Sequence, residues 1–120
     1  MNNKQEPYKL YLDDLREPQT PGWIIVRTYE AFIATIKEKG TPTEISFDHD
    51  LGWDEEKNEE RKSGYDCAQW IVENEIPLEA FNVHSANPVG AGNIIAVLTK
   101  YCRDNKLKFF IANLKNITYF

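Results

Sequence analysis

Three short stretches hold the residues best able to do chemistry. "SFDHDLG" (46–52) sets Asp48, His49 and Asp50 together after a short apolar run. "LYLDDLRE" (10–17) sets Asp13 and Asp14 after another such run, with Arg16 close behind. "VHSANP" (83–88) offers His84, Ser85 and Asn87. Carboxylates brought close repel one another, and desolvation makes that worse. Two acidic clusters that meet in a fold therefore call for a cation between them. Oxygen-rich sets of this kind suit Mg2+, Mn2+ or Ca2+ better than zinc, with Mg2+ or Mn2+ expected here and Asp13, Asp14 and Asp48 as its ligands. The other groups suit an anion. Arg16 presents a bidentate fork, Ser85 a hydroxyl, and Asn87-Pro88 the start of a helix, whose free N–H groups attract phosphate. His84 titrates near neutrality. Taken singly, each residue also has a plainer role: Asp13-Asp14 as a turn, Asp50 as a solvated loop residue, Asn87 as a helix cap, Arg16 and Arg27 as surface charges.

The elements that must position these groups alternate. Strand patterns cover 8–12, 23–28, 44–48, 80–85 and 108–113. Helical patterns begin at Thr28, an N-cap residue, and end at Gly40; cover 65–75; and begin again at the Asn87 cap. In the first, Phe32, Ile33 and Ile36 share a face, and in the second Cys67, Trp70 and Ile71 point inward. In the third, Ile94, Val97, Leu98, Tyr101 and Cys102 recur at helical spacing. The proline-rich stretch between the first two strands reads as a loop, and so does the charged stretch 51–64. The tail 114–120 fits a strand or an extended loop.

Strands alternating with helices predict an α/β domain of three layers. Its strands form a mostly parallel sheet with helices on its faces. In such sheets ligands bind beyond the carboxyl ends of the strands. Asp13, Asp14, Asp48, Asp50, His84, Ser85 and Asn87 all follow strands, so one sheet edge gathers them. Next to Asp48 in an extended segment, His49 is expected to face the other way.

With 120 residues, 42% hydrophobic and 28% charged, the chain reads as one domain, 1–120. The net charge of −5 argues against binding long duplex nucleic acid, and leaves a small phosphorylated ligand or one RNA end as the expected partner. No run of 18 apolar residues is present, so no membrane partner is expected, and the N-terminus lacks a signal-like stretch. The chain is expected in the cytoplasm, with Cys67 and Cys102 reduced and buried.

"LYLDD", "SFDHDLG" and "VHSA" together resemble a response-regulator receiver domain. In that pattern Asp13 and Asp14 match the acidic pair, Asp48 the phosphoryl acceptor, and Ser85-Ala86 the small-residue pair after strand four. "LYLDDLREP", "GW" then "VRT", "SFDHDLG", "GYD" and "VHSANPVG" resemble more closely a receiver-like group, the cyclic-phosphate processing receiver domains. That resemblance implies a receiver or flavodoxin-like fold, with five strands in the order 2-1-3-4-5 and strands one, three and four central and apolar, and the handling of cyclic phosphates on nucleotides or RNA ends.

The chain also departs from a signalling receiver. "FFIANLKN" sets Ala112 or Asn113 where receivers carry lysine, with Lys115 displaced. The first helix is short or missing, and His84 stands where such strands are usually apolar. These features favour a hydrolytic or binding pocket over a phospho-aspartate switch. The expected reaction is metal-assisted hydrolysis of a cyclic phosphate. Asp48 would be nucleophile or ligand, Asp50 ligand or general base, and His84 general acid or base. Arg16, Ser85 and Asn87 would hold the substrate. A signalling receiver phosphorylated on Asp48 and a non-catalytic nucleotide binder are the alternatives.

Overall fold

Parallel strands need long crossovers, and this chain supplies them as helices with strong local start signals. Thr28 accepts the Ala31 N–H at 3.1 Å and opens the first helix, which Gly40 ends with φ 85°. Ser63 and Asp66 form a reciprocal capping box for the second. Asn87 accepts the Gly90 N–H at 3.0 Å, ahead of a proline in the first turn of the third.

A computed structural model describes residues 6–112 and the backbone of 118–119. In chain order it contains β1 (Lys9–Leu12), β2 (Trp23–Val26), α1 (Tyr29–Lys39), β3 (Glu44–Phe47), β4 (Trp53–Asp54) and β5 (Glu59–Glu60). There follow α2 (Gly64–Glu73), β6 (Ala80–Val83), α3 (Pro88–Asp104), β7 (Phe110–Ile111) and β8 (Thr118–Tyr119). The main sheet runs β2-β1-β3-β6-β7-β8. Its first five strands are parallel, in the order expected from the sequence, and β8 adds an antiparallel edge. Asn113, the last residue of the expected fifth strand, and Lys115 lie outside the described residues.

The three helical crossovers all step across the sheet in the same direction. Right-handed connections then put all three helices on one face, where α1 packs on α2 and α2 on α3. Only the β1–β2 connection steps back, and it carries no helix. Among the described residues the second face therefore meets the 13–22 loop where a first helix would stand, which is all of the expected third layer seen there.

The strand residues alternate accordingly. Leu10, Leu12, Ile45, Phe47 and Phe81 point to the helices and are fully buried with Phe32, Ile71, Ile94 and Leu98. Each such side chain stabilises by about 1.5–3 kcal/mol. Tyr11, Ser46 and Asn82 point the other way. β1, β3 and β6 are central as expected, with their apolar side chains on the face toward the helices.

The 51–64 stretch is likewise more than a loop. Trp53 pairs with Glu60 and Asp54 with Glu59 in a small hairpin. Its turn is built by Asp54 Oδ1, which accepts the Glu56 and Lys57 N–H groups at 3.1 and 3.2 Å, and by Asn58 at φ 52°. Turn chemistry builds this hairpin where strand propensity is absent, so a propensity-based reading misses it. Cys67 and Cys102 are free and buried, as expected. Burial raises the Cys67 thiol and pushes Cys102 up to about 11, so both stay protonated. Among the described residues no helix is long and apolar enough to cross a membrane.

α2 begins hard against the segment that follows β3. Gly64 donates its N–H to the His49 carbonyl at 2.7 Å, and a Cβ on Gly64 would stand 1.8 Å from the Asp48 carbonyl oxygen. Backbone on both sides prevents easy relief. Gly64→Ala should cost about 1–3 kcal/mol in denaturant unfolding, as overpacking does. Gly92→Ala, also helical but with nothing within 4 Å of its Cβ, should instead gain about 0.5–1 kcal/mol. Equal effects of the two changes would refute the close approach.

Candidate functional site

The sheet ladder continues one residue beyond three strand ends. Asp13 donates its N–H to Val26 O at 3.1 Å, Asp48 to Leu12 O at 2.9 Å and His84 to Phe47 O at 2.9 Å. Leu12, Phe47 and Val83 are in register, so Asp13, Asp48 and His84 form the next row, on the face without helices. Behind it lies the row Tyr11, Ser46 and Asn82, and behind that the row Trp23, Lys9 and Glu44.

Asp13 is 1% exposed and is the hub. Its Oδ1 accepts the Leu15 and Arg16 N–H groups at 2.9 and 2.7 Å. Its Oδ2 meets His84 Nε2 at 2.9 Å and Arg16 Nε at 3.2 Å. Burial pushes this carboxyl up, but the two backbone donors, His84 and the Arg16 charge outweigh it and hold it below its usual value. Asp48 has weaker support: Oδ1 accepts the His49 N–H at 2.8 Å, and Arg16 Nη2 is 3.8 Å away. Burial, with the Asp13 charge adding to it, raises Asp48 above the ordinary value. Arg16 is thus the cation that stands between the two acidic clusters.

His84 lies across the face, its ring stacked on Tyr11 at 4.4 Å and 7°. Nδ1 is 2.7 Å from Ser46 Oγ, which also bonds Asn82 Oδ1. Burial lowers the ring's pKa, and the bond and charge of Asp13 recover only part of the shift, so the ring is neutral at pH 7. Ser46 owns one proton and has two acceptors. It donates to Nδ1 when the ring is neutral and to Asn82 when Nδ1 is protonated. Asp13, His84 and Ser46 therefore form a continuous proton relay. It ends in a groove of about 920 Å³ whose lining includes Ser46, His84, Tyr11, Arg16, Trp23 and Lys9.

The structure sorts the candidates from the sequence into two groups. Asp13, Asp48, His84 and Arg16 come together. Asp14 does not join them: it follows Asp13, faces the opposite way, and its Oδ2 is 3.3 Å from where a Cβ on Gly52 would stand. Asp50 is exposed and pairs with His49 Nδ1 at 2.8 Å and Asn87 Nδ2 at 3.4 Å. Asn87 caps α3 through its other side-chain atom, and Ser85 Oγ accepts the Asn87 N–H at 3.0 Å. Arg27 fixes the 13–22 loop, donating to Asp13 O at 3.2 Å and to Arg16 O at 2.7 Å.

Ser46, Asn82 and Tyr11 had not been singled out from the sequence. The available signal was a polar residue at every second position of strands expected to be buried on both faces. The glycines of the quoted motifs also acquire roles. Gly64 admits the Asp48 carbonyl, and Gly90 seats the His49 ring, which a Cβ there would meet at 2.4 Å.

Asp13, Asp48 and His84 each offer one ligand atom within 4.8 Å of the others, a cluster that could hold a metal ion. The two carboxylates fit a hard divalent cation. The imidazole joins them only as the tautomer that carries its proton on Nδ1, which leaves the Nε2 lone pair free. Arg16 is half-exposed, and a divalent cation held between the two carboxylates would compete for its place. A family model for the cyclic-phosphate processing Receiver domain matches residues 8–100. No curated protein and no solved structure matches the chain.

Asp48 ionises against its environment, which is costly in the fold and useful in a site. A raised carboxylate favours the folded state fully below its unfolded value of 3.8 and loses that contribution as pH rises through the folded pKa. Asp48→Asn should therefore raise Tm at pH 7 while abolishing most of the further rise that Mg2+ or Mn2+ gives the native protein. An unchanged metal-induced shift in the variant would exclude Asp48 as a ligand.

Proposed function

The chain belongs to the cyclic-phosphate processing receiver domain family, and on that premise we propose that it hydrolyses a cyclic phosphate on a nucleotide or RNA end with the help of Mg2+ or Mn2+. The observation that carries this reading is the Asp13–His84–Ser46 relay, which opens into a groove beside Arg16. In the reaction a water oxygen attacks phosphorus, one of the two ring P–O bonds breaks, and the released alkoxide is protonated to a hydroxyl. Asp13 and Asp48 would hold the metal ion, which polarises the phosphoryl oxygens when bound.

The chain's own groups supply the rest. The neutral His84 ring takes the proton of the attacking water at Nδ1, with the Ser46 hydroxyl carrying it from the groove and then turning to Asn82. Asp13, hydrogen-bonded at Nε2, stabilises the imidazolium and keeps the ring in place, the task of an orienting carboxylate in a proton relay. The same ring then returns the proton to the leaving oxygen, so water and ester exchange atoms with no net proton gain. Arg16, half-exposed beside both carboxylates, neutralises charge growing on the phosphoryl group. Asp50, Ser85 and Asn87, bonded among themselves and to α3, would border the site as supports for that edge.

Ala112 favours this reading over a phospho-aspartate switch. It is one of the two positions, with Asn113, where a signalling receiver would carry lysine; it lines the groove at the end of β7, and its N–H continues the ladder to Phe81 O at 2.8 Å.

His84→Ala should lower turnover of a nucleoside cyclic phosphate by about two to four orders of magnitude, the usual worth of a general acid or base. Binding of the product monophosphate should change far less. Because burial lowers the ring below its reference value of 6.5, the acid limb of the native pH profile should fall below that pH, with full activity at pH 7. Full turnover in a folded His84→Ala protein would remove the relay from the mechanism. A stable gain of one phosphoryl group from a small phosphodonor, without hydrolysis, would replace the reading with signalling.

A further inference from the structure

The groove extends well beyond the row that holds the relay. From Asp13 back to Lys9 is four residues of strand, about 13 Å at the rise of a parallel strand. That is the length of a nucleotide rather than of a bare phosphate. The far end is aromatic and charged. Trp23 is half-buried, with Tyr11 edge-on at 5.8 Å and its indole N–H bonded to Thr20 Oγ1 at 3.0 Å. Lys9 Nζ sits 5.0 Å from the centre of the Trp23 ring, and Glu44 is Lys9's partner across the sheet. No helix among the described residues covers this face, so the indole is reached from the groove.

We propose that the open sheet face is the nucleoside half of the site: a base stacks on Trp23 while its phosphate reaches Arg16 and His84 at the strand ends. This rests on the cyclic-phosphate reading above and names its substrate class as a nucleoside cyclic phosphate, free or at the end of an RNA strand. Magnitudes favour the exchange this requires. A partly exposed lysine over an indole contributes about 0.5–1 kcal/mol, whereas a base stacked on an aromatic side chain contributes about 1–3 kcal/mol. The base takes the ring, and Lys9 is displaced from it. Two polar side chains of the groove lining, Gln19 and Glu44, offer hydrogen bonds to base or ribose without adding net positive charge. This suits a single nucleotide better than a long polyanion.

The test uses the full chain with Mg2+ and two measurements. One is turnover of a nucleoside 2′,3′-cyclic phosphate against a ribose cyclic phosphate that lacks the base. The other is the calorimetric Kd of the corresponding nucleoside monophosphate. Trp23→Ala should raise KM and Kd for the nucleoside ligands by about 5- to 150-fold, the stacking contribution expressed as affinity. Its kcat should be little changed, and the base-free substrate unaffected. Trp23→Phe should restore most of the affinity, and Trp53→Ala, on the exposed hairpin outside this groove, should match the native protein. Equal losses on both substrates, or no loss on either, would overturn the stacking role. If the native protein turns over neither substrate, the catalytic reading fails, and the Kd comparison still decides whether Trp23 holds a base.

Discussion

The ladder that joins β1, β3 and β6 leaves Asp13, Asp48 and His84 no independent positions. Each donates its backbone N–H to the neighbouring strand, so two carboxylates and an imidazole are fixed in one row whatever their charges prefer. The surroundings then answer an electrostatic problem that the backbone has created. Asp13 is settled by two backbone donors, His84 and Arg16, and lies below its ordinary pKa. Asp48 is left with less and lies above. Two chemically identical groups in one row are thus pushed apart in proton affinity, a pattern common where carboxylates have different tasks.

The one-sided helical cover follows from chain direction. Three right-handed crossovers advance across the sheet, and the single backward step is too short for a helix. The face left open carries alternating polar residues because it never had to meet a helix. Tyr11, Ser46 and Asn82 are nonetheless buried there, which requires them to satisfy one another. The bonds from Ser46 to His84 and Asn82 do this for the two smaller side chains, and Tyr11 packs its ring on His84.

Much of this was legible in the sequence, for identifiable reasons. Thr28, Gly40, Asn87 and Pro88 act locally and mark the helix boundaries correctly. The parallel sheet followed from the alternation of elements, and its strand order from the resemblance to receivers. The meeting of Asp13, Asp48 and His84 followed from their each ending a parallel strand. What could not be read was long-range. Whether Asp13 or Asp14 faces the groove depends on register, and the partner of His84 lies 71 residues away. Arg16 looked like a substrate ligand, and the structure shows it first as the partner of two carboxylates. The hairpin at 53–60 was hidden because Asp54 and Asn58 build it through turn geometry, whereas Glu59 and Glu60 have little strand preference.

That hairpin is tied off at its base. Arg61 donates its N–H to Gly52 O at 2.9 Å, and Gly64 donates to His49 O at 2.7 Å, so the chain leaves and re-enters the domain at nearly one point. The entropy of closing the loop is met by those two bonds, and lengthening it further costs only about 0.6 kcal/mol per doubling. The segment between them is therefore a module. Its length and composition can drift, or be exchanged for another sequence, while Asp48 on one side and the capped start of α2 on the other stay in place. In a domain whose chemistry is fixed by a rigid ladder, this is where diversification among relatives, or the grafting of a new recognition element, meets least resistance.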